Sequence, residues 1–326
     1  MLLKRLIILK LVAMEETNSK MNFLVKGRLN NLFLGADEIL NQNHQKIDFL
    51  VDKLIPKGTL CALVGESDTG KSSFLRQLAI SLVYGDSNFL GFKLNNVCRN
   101  VIYVSTEDGE MATSVWLNKH FGNQAPQLDK LANLKYVYLT NGLVKNLEKA
   151  VMGNCIDLII IDSYADLFTG GMNNSNEVRS FLNLYDNLTK IYGTSIIFLH
   201  HTNKASTGKS PNKNSIIGSQ GFEAKMRSVL LLNKDNNDHS LRHLCIVKNN
   251  YIEESLKSES FVLKFNEQLS FENTGNRVKF GELASDEWIP HAIKMKNEGK
   301  SYRQISDELS NDGFEVSKSS LQRKIG

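Results

Sequence analysis

Nine residues constrain this chain more than any others. Gly65 to Ser73 reads GESDTGKSS; it follows the apolar run TLCALVG and opens KSSFLRQLAISLVYG, where Phe74, Leu75, Leu78, Ala79 and Leu82 fall at helical spacing. A G-x-x-x-x-G-K-[ST] pattern arises by chance in about 1% of chains of this length, and the strand–loop–helix setting removes most of those. Gly65 and Gly70 let the backbone turn its N–H groups inward, the helix N-terminus adds partial positive charge, and Lys71 adds a full one. Gly65, Glu66, Ser67, Asp68, Thr69, Gly70, Lys71, Ser72 and Ser73 are therefore expected to cradle the phosphates of ATP, with the Ser72 hydroxyl on Mg²⁺.

The rest of the chain alternates in the same manner. NVIYVSTED, LKYVYLT, IDLIIIDS and TSIIFLHH are buried-strand candidates, separated by helical stretches over Gly109 to Phe121, Leu143 to Val151 and Asn176 to Tyr192. Near-continuous apolar strands alternating with helices predict an α/β fold, a mostly parallel sheet covered on both faces. Beyond His201 the pattern changes: RSVLLLNKD, LRHLCIVKN and SFVLKFNEQLSFEN read as three antiparallel strands extending that sheet. A further shift near Gly281 leads into a helical segment. Three regions are expected: a leader and oligomerisation arm over 1–45, a nucleotide-binding domain over 46–280 and a small unit over 281–326.

Mg²⁺ needs a second anchor, and Asp162 ends the apolar strand IDLIIIDS as a Walker B carboxylate does. Ser163 follows it, so the base that polarises the attacking water must come from elsewhere. Glu107, at the end of the strand after the phosphate-loop helix, is the candidate, with Asp108 competing. His200 and His201 end TSIIFLHH, and one of them is placed to sense the γ-phosphate unless the pair merely caps the strand.

In this order, LVDKLIPKGTLCALVGESDTGKSS, VIYVSTEDGE, IDLIIIDS and FLHHTNK resemble the RecA-like ATPases, and most closely the RepA-type hexameric helicases of plasmids and mobile elements. The resemblance spans residues 45–250. It implies a RecA-like P-loop core, ATP hydrolysis at the contacts between subunits, and a homo-oligomeric ring, a hexamer, that moves on single-stranded DNA. By position, Lys71 and Ser72 match the Walker A residues, Asp162 the Walker B aspartate and Glu107 the catalytic glutamate. In EAKMRSVLLL, Lys225 and Arg227 stand two apart on a strand and resemble the K-x-R element inserted into a neighbour's site, where it would take part in catalysis; an exposed basic strand edge is the plainer alternative. In IVKNNY only Lys248 matches a KNRFG-like segment, since Asn250 replaces the arginine. No primase-interacting domain of the DnaB kind fits before Gly58, and the amphipathic piece Ala36 to Leu40 is the one candidate for an arm onto a neighbour.

Two segments are candidates for DNA contact. The loop TNKASTGKSPNKNS carries Lys204, Lys209 and Lys213 among small polar residues, suited to phosphate contacts without sequence preference if it is not simply solvated. The C-terminal unit resembles a helix-turn-helix: Glu298-Gly299-Lys300 ends one helix, Ser301 caps the next with Ile305 and Leu309 inward, and Ser317 caps a third. That third helix offers Lys318, Gln322, Arg323 and Lys324 to a major groove of duplex DNA, or else docks a protein.

The net charge of +4 permits a nucleic-acid partner without requiring one. The apolar start, Met1 to Ala13, is interrupted by Lys4, Arg5 and Lys10, too short to span a bilayer and poor as a signal peptide; it reads as a leader with Met14 or Met21 as alternative starts. Cys61, Cys98, Cys155 and Cys245 are widely spaced, which predicts reduced thiols in a cytoplasmic protein with no membrane partner. An ATP-driven DNA helicase or translocase fits best, a RecA-like regulator or recombination accessory that binds duplex DNA is the alternative, and a P-loop kinase is the weakest reading.

Overall fold

The computed structural model describes residues 33–202, 210–212, 220–283, 288–312, 314 and 316–326. Nine strands form one sheet: β1 Leu60–Gly65, β2 Val101–Ser105, β3 Leu134–Val137, β4 Leu158–Asp162, β5 Ser195–His201, β6 Ser228–Lys234, β7 Leu241–Asn249, β8 Glu259–Phe265 and β9 Phe271–Lys279, in the spatial order β9-β8-β7-β6-β1-β5-β4-β2-β3. From β6 to β3 all neighbours are parallel. β7, β8 and β9 continue the sheet antiparallel. The reversal therefore starts one strand later than the sequence pattern implies, because β6 pairs parallel with β1 and only its other edge is antiparallel. SFVLKFNEQLSFEN is also two strands rather than one, folded at Asn266, whose backbone accepts from and donates to nearby Leu269 and Ser270.

Alternation along the strands assigns the two faces. Cys61 and Leu63 of β1, Tyr103 of β2, Ile160 of β4 and Ile197 and Leu199 of β5 pack under α1, Lys71–Tyr84. Leu60, Ala62, Val64, Ile159, Ile161, Ile196 and Phe198 face the other way, against α3, Leu143–Gly153, and α4, Ser175–Tyr192. The period of two in a strand sends neighbouring residues to opposite faces, so the central strands β1, β2 and β4 are buried at every position, while the edge strand β3 exposes Lys135. α2, Glu110–Phe121, lies on the α1 side, where Trp116 is buried.

Two sequence expectations change here. Cys98 and Cys155, far apart in sequence, are brought side by side with Cα atoms 5.5 Å apart, whereas Cys61 and Cys245 are buried free thiols as expected. Register is the reason: Val101 of β2 pairs with Leu158 of β4, which brings the segments leading into both strands together across 57 residues of sequence. Asp157 joins them too, its carboxylate accepting the N–H groups of Val97, Cys98 and Arg99. The second change concerns Lys225 and Arg227, which do not lie on a strand. Lys225 ends a short helix, Gln220–Lys225, and Arg227 lies in the bend before β6.

Three C-terminal helices follow: α5 Trp288–Asn297, α6 Tyr302–Asn311 and α7 Lys318–Ile325. Ser301 and Gln304 form a capping box at α6, and Ser317 caps α7 by accepting the Ser320 N–H. Trp288, Ala292, Ile305, Leu309 and Leu321 make a core of their own. Leu309→Ala, at a fully buried position, is expected to cost about 2–5 kcal/mol of local stability. Limited proteolysis will show it as faster cleavage between α5 and α7. Among the described residues no helix is long and apolar enough to cross a membrane.

Candidate nucleotide site

The parallel strands end together, and the candidate site residues on β1, β4 and β5 stand on or beside those ends. Gly65 of β1 pairs with His201 of β5, and Ser105 of β2 pairs with Asp162 of β4. The loop from Gly65 to Gly70 rises between β1 and α1, with Asp68 and Gly70 both at positive φ, 58° and 91°. Glycine is needed at Gly65 for a different reason: a Cβ there would meet the Leu232 carbonyl oxygen at 2.4 Å. Thr69 Oγ1 donates to the Glu66 carbonyl at 3.1 Å, and the buried Lys71 Nζ donates to the same oxygen at 2.5 Å.

Burial pulls the Lys71 pKa down to about 8, against the opposing attraction of Asp162, Glu107, Asp68 and Glu66. Those carboxylates keep a cation in place where phosphate charge is to be received. Asp162 is 3% exposed, and its Oδ2 accepts from the Tyr103 hydroxyl at 2.6 Å. Ser72 stands beside the same carboxylate, while Oδ1 is buried without a hydrogen-bond partner. An orphaned carboxylate oxygen beside a serine hydroxyl fits a hard divalent cation that takes its other ligands from phosphates and water. Among the described residues there is no group of three His, Cys, Asp or Glu side chains that would hold an ion unaided. Ser72 and Asp162 would hold Mg²⁺, which would supply positive charge to offset the negative charge of the phosphates.

Glu107 and Asp108, rivals in sequence, are separated by geometry. Asp108 is committed to the buried Arg76, at 2.6 Å. That guanidinium also lies 5.5 Å from the ring centroids of Tyr103 and Trp116. Glu107 is exposed at the mouth of the site, and its pKa is raised, first by partial desolvation and then by Asp162 and Asp166. Ser163, which occupies the position after Asp162, donates its hydroxyl to Asp166 Oδ2 at 2.9 Å and its N–H to Thr106 Oγ1 at 2.9 Å.

The histidines separate by strand alternation. His200 is buried on the α4 side, its ring centroid 4.9 Å from both Tyr164 and Phe222. His201 projects to the α1 side, half-buried, in the fields of Lys71 and Asp162. Burial lowers its pKa, and Lys71 lowers it further.

Lys225 and Arg227 do not join this cluster. The Arg227 N–H bonds to the Leu60 carbonyl, and Ser228 pairs with Cys61, so both residues stand at the opposite end of the sheet. The length of β1, about 3.3 Å per residue, separates Arg227 from its own phosphate loop. Arg227 is exposed, whereas Lys225 pairs with Asp186 at 3.3 Å. Lys248 is bound to Glu223, at 2.7 Å, away from the site. Lys204, Lys209 and Lys213 lie outside the described residues. Lys318, Gln322 and Lys324 are exposed on α7, and the side chain of Arg323 lies outside the described residues.

Tyr103, Arg76, Trp116 and Asp166 contact the candidate site residues without having been legible as such in sequence. Trp116 Nε1 donates to Ser73 Oγ at 3.0 Å, and Thr106 Oγ1 bonds to Asp166 at 2.5 Å. Tyr103 carries the clearest signal, since it shares strand parity with Asp162 in the paired register.

A phosphate loop at the end of a central parallel strand, with an acidic strand end two strands away, defines a P-loop ATPase of RecA-like fold. Among solved structures, one described as an ATPase domain superposes with a TM-score of 0.54 at 14% identity, covering 73% of this chain and 95% of that one. The AAA domain family matches residues 29–207, more than half of the chain, and the chain belongs to that family. No curated protein matches it by sequence.

Proposed function

We propose that this chain is an ATP-hydrolysing, ring-forming DNA helicase or translocase, acting on single-stranded DNA in the cytoplasm for the replication or mobilisation of a plasmid-like or integrated element. One observation carries the ring: the exposed Arg227 lies a strand's length from its own phosphate loop, where it serves a neighbour's site and not its own. The helix Ala36–Asn41 supports the same assembly. It has no buried residue, and Phe33, Leu34, Ile39 and Leu40 near it are all exposed, as suits an arm that lies on a second copy.

In this reading Lys71 and the loop N–H groups hold the β- and γ-phosphates. Ser72 and Asp162 hold Mg²⁺, and Glu107 accepts a proton from the attacking water. His201, rather than His200, reads the γ-phosphate. Arg227, with Lys225 beside it, stabilises transition-state charge across the subunit contact. Lys204, Lys209 and Lys213 track the single strand, and Lys318, Gln322, Arg323 and Lys324 offer a second contact, to duplex DNA.

The deciding experiment compares ATP hydrolysis with and without single-stranded DNA on a size-resolved oligomer. Stimulation together with strand separation is expected. Sequence-selective duplex binding without stimulation would favour a DNA-binding regulator or recombination accessory instead. Glu107→Gln is expected to lower turnover about 100-fold or more with ATP binding retained, as checked by hydrolysis rate alongside titration calorimetry. Because the Glu107 pKa is raised, its basic form emerges at higher pH than for an ordinary glutamate. Turnover should therefore climb with pH through that raised value, and the limb should be absent in Glu107→Gln.

A further inference from the structure

The antiparallel extension reaches back over the phosphate loop. Arg242, on β7, shares strand parity with Leu244 and Ile246, which pack under α1, and this directs its side chain to the same face. It is 6% exposed, and its Nε donates to the Thr69 carbonyl at 3.0 Å across 173 residues of sequence. One terminal nitrogen donates to the carbonyls of His239 and Leu241 at 2.7 and 2.8 Å. The Phe265 ring centroid lies 5.4 Å from the guanidinium. Among the described residues no carboxylate pairs with it, and burial alone lowers its pKa. A buried cation held only by carbonyls is costly unless it serves some further purpose.

Its surroundings hold the loop as well. A Cβ on Gly70 would meet Phe271 at 2.9 Å, and Gln77 of α1 exchanges two hydrogen bonds with the Phe271 backbone, at 2.7 and 3.0 Å. The Thr69 carbonyl and the Gly70 N–H belong to one planar trans peptide, so they point in opposite directions. Fixing the oxygen toward β7 therefore aims the Gly70 N–H away from β7.

We propose that Arg242 is a positioning residue for nucleotide binding, which locks the Thr69–Gly70 peptide so that its N–H faces the phosphates and which leaves a buried positive charge behind the loop. This rests on the nucleotide-binding reading of the loop and not on DNA translocation. It makes the β7–β9 extension part of the nucleotide site rather than only an enlargement of the sheet.

Titration calorimetry with Mg²⁺–ATP on the full chain in a Glu107→Gln background tests it. Arg242→Gln should weaken binding about tenfold, equivalent to about 1.4 kcal/mol. Arg277→Gln is the control: it removes an arginine of the same extension that sits 3.8 Å from the Phe261 ring centroid, away from the loop, and should leave affinity unchanged. If Arg242→Gln does not fold, Arg242→Lys serves, because it retains the charge without the planar fork. It should bind more than twofold but less than tenfold more weakly than the wild type. Affinity within twofold of wild type for the folded Arg242 variant, or an equal loss in Arg277→Gln, overturns the proposal. A parent chain that fails to bind Mg²⁺–ATP removes the reading beneath it, and the proposal with it.

Discussion

Lys71→Met is expected to reduce ATP hydrolysis by about 1000-fold or more while the protein melts no lower than the parent chain. The catalytic loss follows from removing a full positive charge aimed at the β- and γ-phosphates in a site largely shielded from water, where one preorganised donor is typically worth about 100- to 1000-fold. The stability result is less intuitive and follows from burial. Desolvation lowers the Lys71 pKa to about 8, so the folded state holds its charged form at a cost that the unfolded chain does not bear. Sign matters here: between about pH 8 and the ordinary lysine value the unfolded state binds more protons, so stability rises with pH across that window. In Lys71→Met that rise should disappear, and stability at neutral pH should be equal or greater. Hydrolysis assays with thermal melts at pH 7 and pH 9.5 check both parts. A large drop in melting temperature at pH 7 would show that Lys71 stabilises the loop more than burial penalises it.

The second large effect is the loss of Arg227. Arg227→Ala is expected to lower turnover about 1000-fold or more, the scale of an arginine supplied across a subunit contact. Its fold should be intact, because the side chain is exposed in the bend before β6. Complementation distinguishes a neighbour's site from the chain's own. Arg227→Ala subunits retain a whole phosphate loop and Lys71→Ala subunits a whole finger. A mixed oligomer therefore contains contacts in which both halves are intact, and it should regain part of the activity that each variant lacks alone. No recovery on mixing, with co-assembly demonstrated, would place Arg227 outside the neighbour's site.

Much of the nucleotide site was readable from residue order because its parts are local. A glycine-bounded loop between strand and helix depends on residues within nine positions of one another, and Asp162 and Glu107 are each marked by the apolar run they terminate. Strand alternation also separates the histidine pair onto opposite faces, and which of the two lies on the side of α1 follows only from the packing. Asp108 could not be set aside from sequence, because its partner Arg76 lies a helix away in the chain and meets it only when β2 packs beside α1. Cys98 and Cys155 are a similar case, brought side by side by the register of β2 and β4 rather than by any spacing motif.

The chain's order of residues thus determined the α/β class, the phosphate loop, the two acidic strand ends and the capped C-terminal helices, all of which follow from short-range periodicity and backbone chemistry. Tertiary structure alone decided which edge of β6 is parallel, that Lys225 and Arg227 stand at the far end of the sheet, and that Arg242 comes to rest behind Thr69. Those outcomes depend on pairing between strands tens to hundreds of residues apart. Many apolar strands of similar length compete for the same neighbours, and only simultaneous burial of both sheet faces selects one order.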